Sequence, residues 1–310
     1  LVTAGGSTVT SDPITLTVAA ANTSAARLTN LATRATSLSG ANALVPGFVI
    51  NGTGTKRVLL RNVGPTLTGF GLTGLLADPQ LTLKRYDSAT SAYVDVATND
   101  NWGTTTALTT LVNTTASVGA FPLTAGSNDS SLLIDLAPGQ YSAGTGGANN
   151  GTGIALLEVY DAGTATPTAR LSNTATRGYV GTGGDIIIAG FVVSGPGPKT
   201  FLVRAVGPTL LGGSFNLSDA VVDPYLKIYR GDTLLRENDD WDSPAAAQPA
   251  LRAAALQVGA FALRETRGDN PATGLDAALL ITLPPGGYTA QMSGLDGLTG
   301  IGLVEVYEVP

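Results

Sequence analysis

The chain has 310 residues, 43% of them hydrophobic and 13% charged, and contains neither cysteine nor histidine. That excludes disulfides, thiolate nucleophiles, Ser-His-Asp and Cys-His relays, and zinc sites built from the usual nitrogen and sulfur ligands. With 17 Lys plus Arg against 23 Asp plus Glu, and a net charge of −6, it also lacks the basic footprint of a nucleic-acid-binding surface.

Residues 1–23 form a segment of their own. After Gly5-Gly6, Thr8 to Val18 alternates in polarity, with Ile14, Leu16 and Val18 on one face and Thr15 and Thr17 on the other. The run from Ala4 to Ser11 and the ending Thr15-Leu16-Thr17-Val18 resemble the last two strands of a bacterial immunoglobulin-like domain. A strand pair is marginal alone in water. The expectation is therefore a donor strand, or the end of an upstream domain. The opening at Leu1, without a Met or a basic and apolar leader, reads as a mature or fragmentary piece of a longer exported product.

The remainder is a duplication. Ala26-Arg27-Leu28-Thr29-Asn30 returns as Ala169-Arg170-Leu171-Ser172-Asn173, and the same offset carries Lys56 to Lys199, Arg61 to Arg204, and Val63-Gly64-Pro65-Thr66-Leu67 to Val206-Gly207-Pro208-Thr209-Leu210. Further on, Asn99-Asp100-Asn101-Trp102 matches Asn238-Asp239-Asp240-Trp241, and Glu158-Val159-Tyr160 matches Glu305-Val306-Tyr307. Two homologous domains are expected at 24–165 and 166–310, joined by the stretch from Ala162 to Thr168.

Within each repeat, short runs rich in Val, Ile, Leu and Tyr are punctuated by Gly, Pro, Asn and Asp. This pattern predicts an all-β protein of two tandem antiparallel sandwiches, jelly-roll or immunoglobulin-like, after the N-terminal strand segment. Strands are expected at 58–61 and 201–204, 81–83 and 226–229, 132–136 and 279–283, and in the runs ending at Tyr160 and Tyr307. One helix is predicted, from Pro249 to Gln257, with Ser243-Pro244 at its start. The matching 103–117 is rich in Thr and predicts no helix.

The block Asp223-Pro224-Tyr225-Leu226-Lys227-Ile228-Tyr229, then Asn238-Asp239-Asp240-Trp241, then Leu283-Pro284-Pro285-Gly286-Gly287-Tyr288-Thr289, resembles the bacterial pre-peptidase C-terminal type of β-sandwich. It is also similar to tandem modules that follow immunoglobulin-like repeats in large secreted bacterial surface proteins. The resemblance covers nearly all of 26–310 and implies a non-catalytic, extracellular accessory or structural module. Calcium and extracellular polymers are ligands of some relatives of this type.

Candidate sites are few. Asn99, Asp100 and Asn101, with Asn238, Asp239, Asp240 and Asp242, cluster the hard oxygen ligands that Ca²⁺ takes. The competing reading, which we favour, is an Asx-type turn ahead of Trp102 and Trp241. No cofactor is required, and calcium is the one these residues would accept. Each Trp is expected to plug a sandwich core rather than to stack on sugar. Glu158 and Glu305 lie inside apolar strands, where a bare carboxylate is costly; among the duplicated arginines Arg27, Arg34 and Arg61, and Arg170, Arg177 and Arg204, the expected structural ion pairs are Arg27 with Glu158 and Arg170 with Glu305. Arg230-Gly231-Asp232 reads as ordinary hairpin-turn chemistry, and Arg267-Gly268-Asp269 as coincidence.

No nucleophile and base constellation emerges, so the chain is not read as an enzyme. The expected function is a structural or adhesive protein of the cell surface or extracellular space. Its partners would be copies of itself, added head to tail through the strand carrying Ile14, Leu16 and Val18, or neighbouring domains of one surface protein. Neither nucleic acid nor a membrane span is expected, since no run of 18 apolar residues occurs. The alternative is an accessory carbohydrate- or protein-binding module of a larger secreted enzyme.

Overall fold

A computed structural model describes residues 2–4, 7–9, 26–40, 43–163, 168–212, 215, 217–265 and 275–310. The N-terminal strands β1 (Val2–Ala4) and β2 (Ser7–Val9) pair antiparallel with each other in a two-stranded sheet of their own. Ile14, Leu16 and Val18 lie outside the described residues.

The first repeat supplies β3 (Arg27–Ser37), β4 (Val45–Gly52), β5 (Lys56–Val63), β6 (Pro79–Asp87), β7 (Ala92–Asn99), helix α1 (Leu108–Ser117), β8 (Ser130–Leu136), β9 (Gly139–Gly147) and β10 (Gly153–Asp161). The second repeats the series: β11 (Ala169–Val180), β12 (Ile187–Ser194), β13 (Lys199–Val206), β14 (Pro224–Arg230), β15 (Thr233–Asn238), helix α2 (Gln248–Val258), β16 (Ala277–Leu283), β17 (Gly286–Gly294) and β18 (Gly300–Glu308). Every strand that the apolar runs predict is present. Arg230-Gly231-Asp232 forms the β14–β15 hairpin turn, with Gly231 at φ 55°, while Arg267-Gly268-Asp269 lies outside the described residues.

These strands form an antiparallel sandwich of two eight-stranded sheets, in the orders β15-β14-β17-β12-β3-β10-β5-β8 and β16-β13-β18-β11-β4-β9-β6-β7. Each repeat gives four strands to each sheet. The repeats fuse side by side at two seams, where β3 pairs with β12 and β4 with β11. The sequence boundary near residue 165 thus leaves both sheets continuous. A single apolar core fills the space between them, drawing Leu28, Phe48 and Leu60 from one repeat and Leu171, Phe191 and Val203 from the other. Within it Phe48 stacks on Tyr141 at 5.3 Å between centroids, and Phe191 on Tyr288 at 5.6 Å. Both tyrosine hydroxyls donate to the carbonyl four residues upstream, of Ala137 and Pro284 respectively, in the manner of a tyrosine corner.

The helices lie on opposite outer faces. The Ala-rich α2 packs Leu251 and Ala254 over Leu202 and Tyr307 of the second sheet. Its first turn contains Pro249, and no side chain caps it, so the Ser243 expectation is not met. The Thr-rich α1 corrects the expectation of no helix in 103–117. Its Leu111 is buried against Leu59 and Tyr160 of the first sheet, and the buried Thr115 hydroxyl donates to the Leu111 carbonyl. Tertiary burial of one face outweighs a low intrinsic propensity of a few tenths of a kcal/mol per residue, about 0.5 kcal/mol for Thr relative to Ala.

Candidate functional site

Charged residues in the strands, or just ahead of them, form three duplicated centres. In the first, Glu158 on β10 lies directly across from Arg61 on β5, and Glu305 on β18 across from Arg204 on β13. Arg61 Nε donates to Glu158 Oε2 at 2.8 Å, its NH1 donates to the Phe121 carbonyl at 2.5 Å, and the Tyr160 hydroxyl donates to Glu158 Oε1 at 2.6 Å. The second repeat reproduces these contacts through Arg204, Phe261 and Tyr307, at 2.8, 2.6 and 2.6 Å. Each guanidinium also lies over a phenyl ring, Arg61 at 4.2 Å from the centroid of Phe121 and Arg204 at 4.3 Å from that of Phe261. Arg61 is wholly buried and Arg204 is 1% exposed.

Burial pushes the Glu158 carboxyl above its usual range, against Arg61 and the Tyr160 hydroxyl, which favour the charged form. Burial, together with the adjacent carboxylate, also raises both hydroxyl pKa values, of Tyr160 beside Glu158 and of Tyr307 beside Glu305.

The structure corrects the expected pairs: Arg61 and Arg204, not Arg27 and Arg170, are the partners of the in-strand glutamates. Arg27 and Arg170 belong to a second centre. Arg27 Nε lies 3.7 Å from Asp161 Oδ2, and Lys56 Nζ contacts Asp161 Oδ1. In the other repeat Arg170 and Lys199 flank Glu308 at 3.5 and 3.3 Å. Cross-strand register decides the assignment: Arg27 opens β3, five residues before the position that pairs with Glu158, whereas Arg61 stands opposite Glu158.

The third centre has no counterpart among the sequence candidates. The fully buried Asp129 accepts from Gly64 N at 2.7 Å, from Thr66 N and from Ser127 Oγ at 2.6 Å, and from the Thr66 hydroxyl. Asp276 accepts likewise from Gly207 N at 2.8 Å, from Thr209 N at 3.2 Å and from the Thr209 hydroxyl. This explains the duplicated Val-Gly-Pro-Thr-Leu motif. A Cβ on Gly64 would lie 2.0 Å from the Leu76 carbonyl oxygen, and one on Gly207 2.0 Å from that of Val221, so only glycine lets the turn close on the carboxylate. The signal was present in the sequence: Asp129 and Asp276 are separated by the same interval as Glu158 and Glu305.

The Asn and Asp clusters before the tryptophans bond both within their own turns and to the backbone at the starts of β8 and β16. Asn99 Oδ1 accepts from Ser131 N at 2.8 Å and its Nδ2 donates to the Asn101 carbonyl, while Asn238 does the same with Ala278 N at 2.9 Å and the Asp240 carbonyl at 2.8 Å. Asp240 Oδ1 accepts from Leu275 N at 3.0 Å, and Asn101 Nδ2 donates to Asp100 Oδ2. The backbone of Asp242 accepts from Gln248. Among the described residues no three acidic groups are placed to hold a metal ion. Trp241 is buried under α2, donating to the Arg264 carbonyl, and Trp102 is half-buried, donating to Ser127.

Two kinds of surface remain. Among the described residues the sheets end in unpaired edges, of which β16, reading Ala-Ala-Leu-Leu-Ile-Thr-Leu, carries no charge and pairs only with β13. Each seam also forms a groove beside a helix C-terminus. On the second sheet it is lined by Val49, Tyr93, Gln140, Asn173, Tyr307 and the end of α2. On the first sheet the equivalent groove has Val192, Asn30, Tyr160 and the end of α1. Among the described residues no helix is long and apolar enough to cross a membrane.

No protein-family model matches the chain, and no curated protein matches it. Among solved structures it is similar to PNGase F, a glycosylasparaginase from Flavobacterium meningosepticum, at 9% identity and a TM-score of 0.24, with 91% of this chain and 96% of that one covered. A likeness of that size carries no argument about fold or activity.

Proposed function

We propose that the chain is a non-catalytic structural or adhesive module of an extracellular surface protein, one that joins further copies of itself head to tail by strand addition. The observation that carries this reading is the β16 edge. Strands at sheet edges present a row of unpaired N–H and C=O groups, and are usually guarded by charge, proline or a bulge. β7 and β15 follow that practice, with Asp95 on the one and Arg236 and Glu237 on the other. β16 has neither charge nor proline over its seven residues, and its Leu280 and Thr282 face solvent. An incoming strand of alternating polarity, such as the one the sequence carries at Ile14, Leu16 and Val18, would satisfy this edge. Donor and acceptor are different surfaces, so the contact is heterologous and propagates as a filament when the rotation does not close. The duplicated carboxylates support a non-catalytic role, since each is engaged in an internal ion pair or turn.

Negative-stain electron microscopy of the intact chain, beside the same chain lacking residues 1–22, tests this. Fibres from the intact protein and separate particles from the truncated one are expected. Separate particles in both samples would overturn the proposal.

A further inference from the structure

We propose that the seam groove on the outer face of the second sheet binds a neutral saccharide. The inference stands apart from strand addition at β16, since the groove lies across β4, β9 and β11 and reaches a sheet edge only through Tyr93 on β7, at the opposite end of the sheet from β16.

The groove holds about 230 Å³, enough for a single sugar ring, and neither repeat makes it alone. Val49 and Gln140 come from the first repeat, whereas Asn173, Tyr307 and the end of α2 come from the second. Its chemistry is neutral throughout, because no lining side chain is charged. At one end Tyr93 on β7 is 47% exposed and held edge-on against Tyr86, at 5.4 Å between centroids. An aromatic ring held at the surface by a neighbouring ring is the kind of group that packs against the C–H side of a sugar. Along the floor stand two primary amides, Gln140 and Asn173, and each can both donate to and accept from hydroxyl groups.

Asn173 marks the ligand position most directly. It is 9% exposed, and its Oδ1 has no hydrogen-bond partner among the described residues, although its side chain bonds the Tyr307 hydroxyl. A buried acceptor left unpaired is costly, and a sugar hydroxyl laid in the groove satisfies it without bringing charge. An anionic ligand would meet an acceptor oxygen with no cation beside it. The companion groove on the first sheet differs in each respect. There Asn30 donates to the Val159 carbonyl at 3.5 Å, Asp161 contributes a carboxylate, and the only aromatic is the buried Tyr160. The saccharide site is therefore single, a product of the seam together with the Tyr93 hairpin of the first repeat.

The test is native gel electrophoresis of the full chain through gels containing hydroxyethylcellulose, dextran or galactomannan, with alginate as the anionic comparison. Retardation is expected in at least one neutral gel. Tyr93→Ala should weaken it about tenfold, Gln140→Ala should weaken it measurably, and Tyr93→Phe should retain it, because ring stacking is the element removed in the first and kept in the last. Both positions are solvent-exposed, and unchanged thermal unfolding of the variants would verify that they fold. No retardation in any neutral gel, retardation by alginate alone, or retardation unaffected by Tyr93→Ala would each overturn the assignment.

Discussion

Thr33 and Thr176, which occupy the same position in the two repeats, hydrogen-bond to each other through their hydroxyls, 2.7 Å between oxygens, in the interior of the sandwich. Equivalent residues can touch only where a local two-fold axis passes between them, so this pair marks the pseudo-dyad that relates the repeats. Both are buried, at 2% and 1% exposure, and neither hydroxyl has another partner among the described contacts. Replacing one partner alone should strand a buried polar group, whereas replacing both with an isostere removes the need for a bond. Thr33→Val and Thr176→Val are each expected to cost about 1–3 kcal/mol, and the double variant less than either. Urea denaturation of the three variants measures the coupling, and simple additivity would contradict it.

The Arg61 and Glu158 pair should behave in the same way at larger scale. Removing one member of a buried ion pair costs roughly 3–5 kcal/mol, because the other charge is left uncompensated, while replacing both with well-packed apolar residues is often neutral. Arg61→Met is therefore expected to lower stability by that amount, and Arg61→Met with Glu158→Leu to recover most of it. The equivalent substitutions at Arg204 and Glu305 should match them, since the geometry repeats. Chemical denaturation midpoints read both sets.

Alkali should unfold the protein through its tyrosines. Tyr160 and Tyr307 have folded-state pKa values raised above the ordinary 10.0 by burial and by the carboxylates they donate to. Above pH 10.0 the folded state therefore holds protons that the unfolded state has released. The stability from these groups is complete below pH 10.0 and is lost as pH rises from there through the folded values, by at most about 1.4 kcal/mol per pH unit for each tyrosine. Denaturation midpoints should be level from pH 8 to pH 10 with respect to these groups and fall with this slope above pH 10. Tyr160→Phe with Tyr307→Phe should flatten the limb, and an unchanged slope would exclude these two residues as its source.

The uncharged β16 edge leads to a prediction about assembly. Leu280 is 39% exposed, so a lysine there keeps the strand paired with β13 while guarding its open side. Leu280→Lys should leave the unfolding midpoint within about 0.5 kcal/mol of the parent, as surface substitutions do, and abolish association in sedimentation velocity. Association unchanged by this substitution would remove β16 as the acceptor edge.

Much of this architecture is legible in the chain as written. Period-two alternation and Gly or Pro punctuation locate strands because a half-buried pleated strand must alternate and a turn must use those residues. The helix at α2 is legible from Ala and Leu, whereas α1 is not, because its Thr-rich sequence becomes helical only when Leu111 finds Leu59 and Tyr160. Glu158 is conspicuous as a charge in an apolar run. Asp129 is not, since its donors are mostly backbone groups and hydroxyls drawn from the turn some 65 residues earlier.

The sequence by itself determined the duplication, the antiparallel strands and the need to pair each in-strand glutamate. It did so because repeats, alternation and buried charge are properties of single residues and their near neighbours. Only the tertiary structure decided that the repeats share two continuous sheets and one core, that Arg61 and not Arg27 meets Glu158, and that grooves open at the seams. Alternation specifies which face of a strand is buried but not which strand lies beside it. That choice belongs to long-range register, which fixes cross-strand partners and closes the sandwich around its pseudo-dyad.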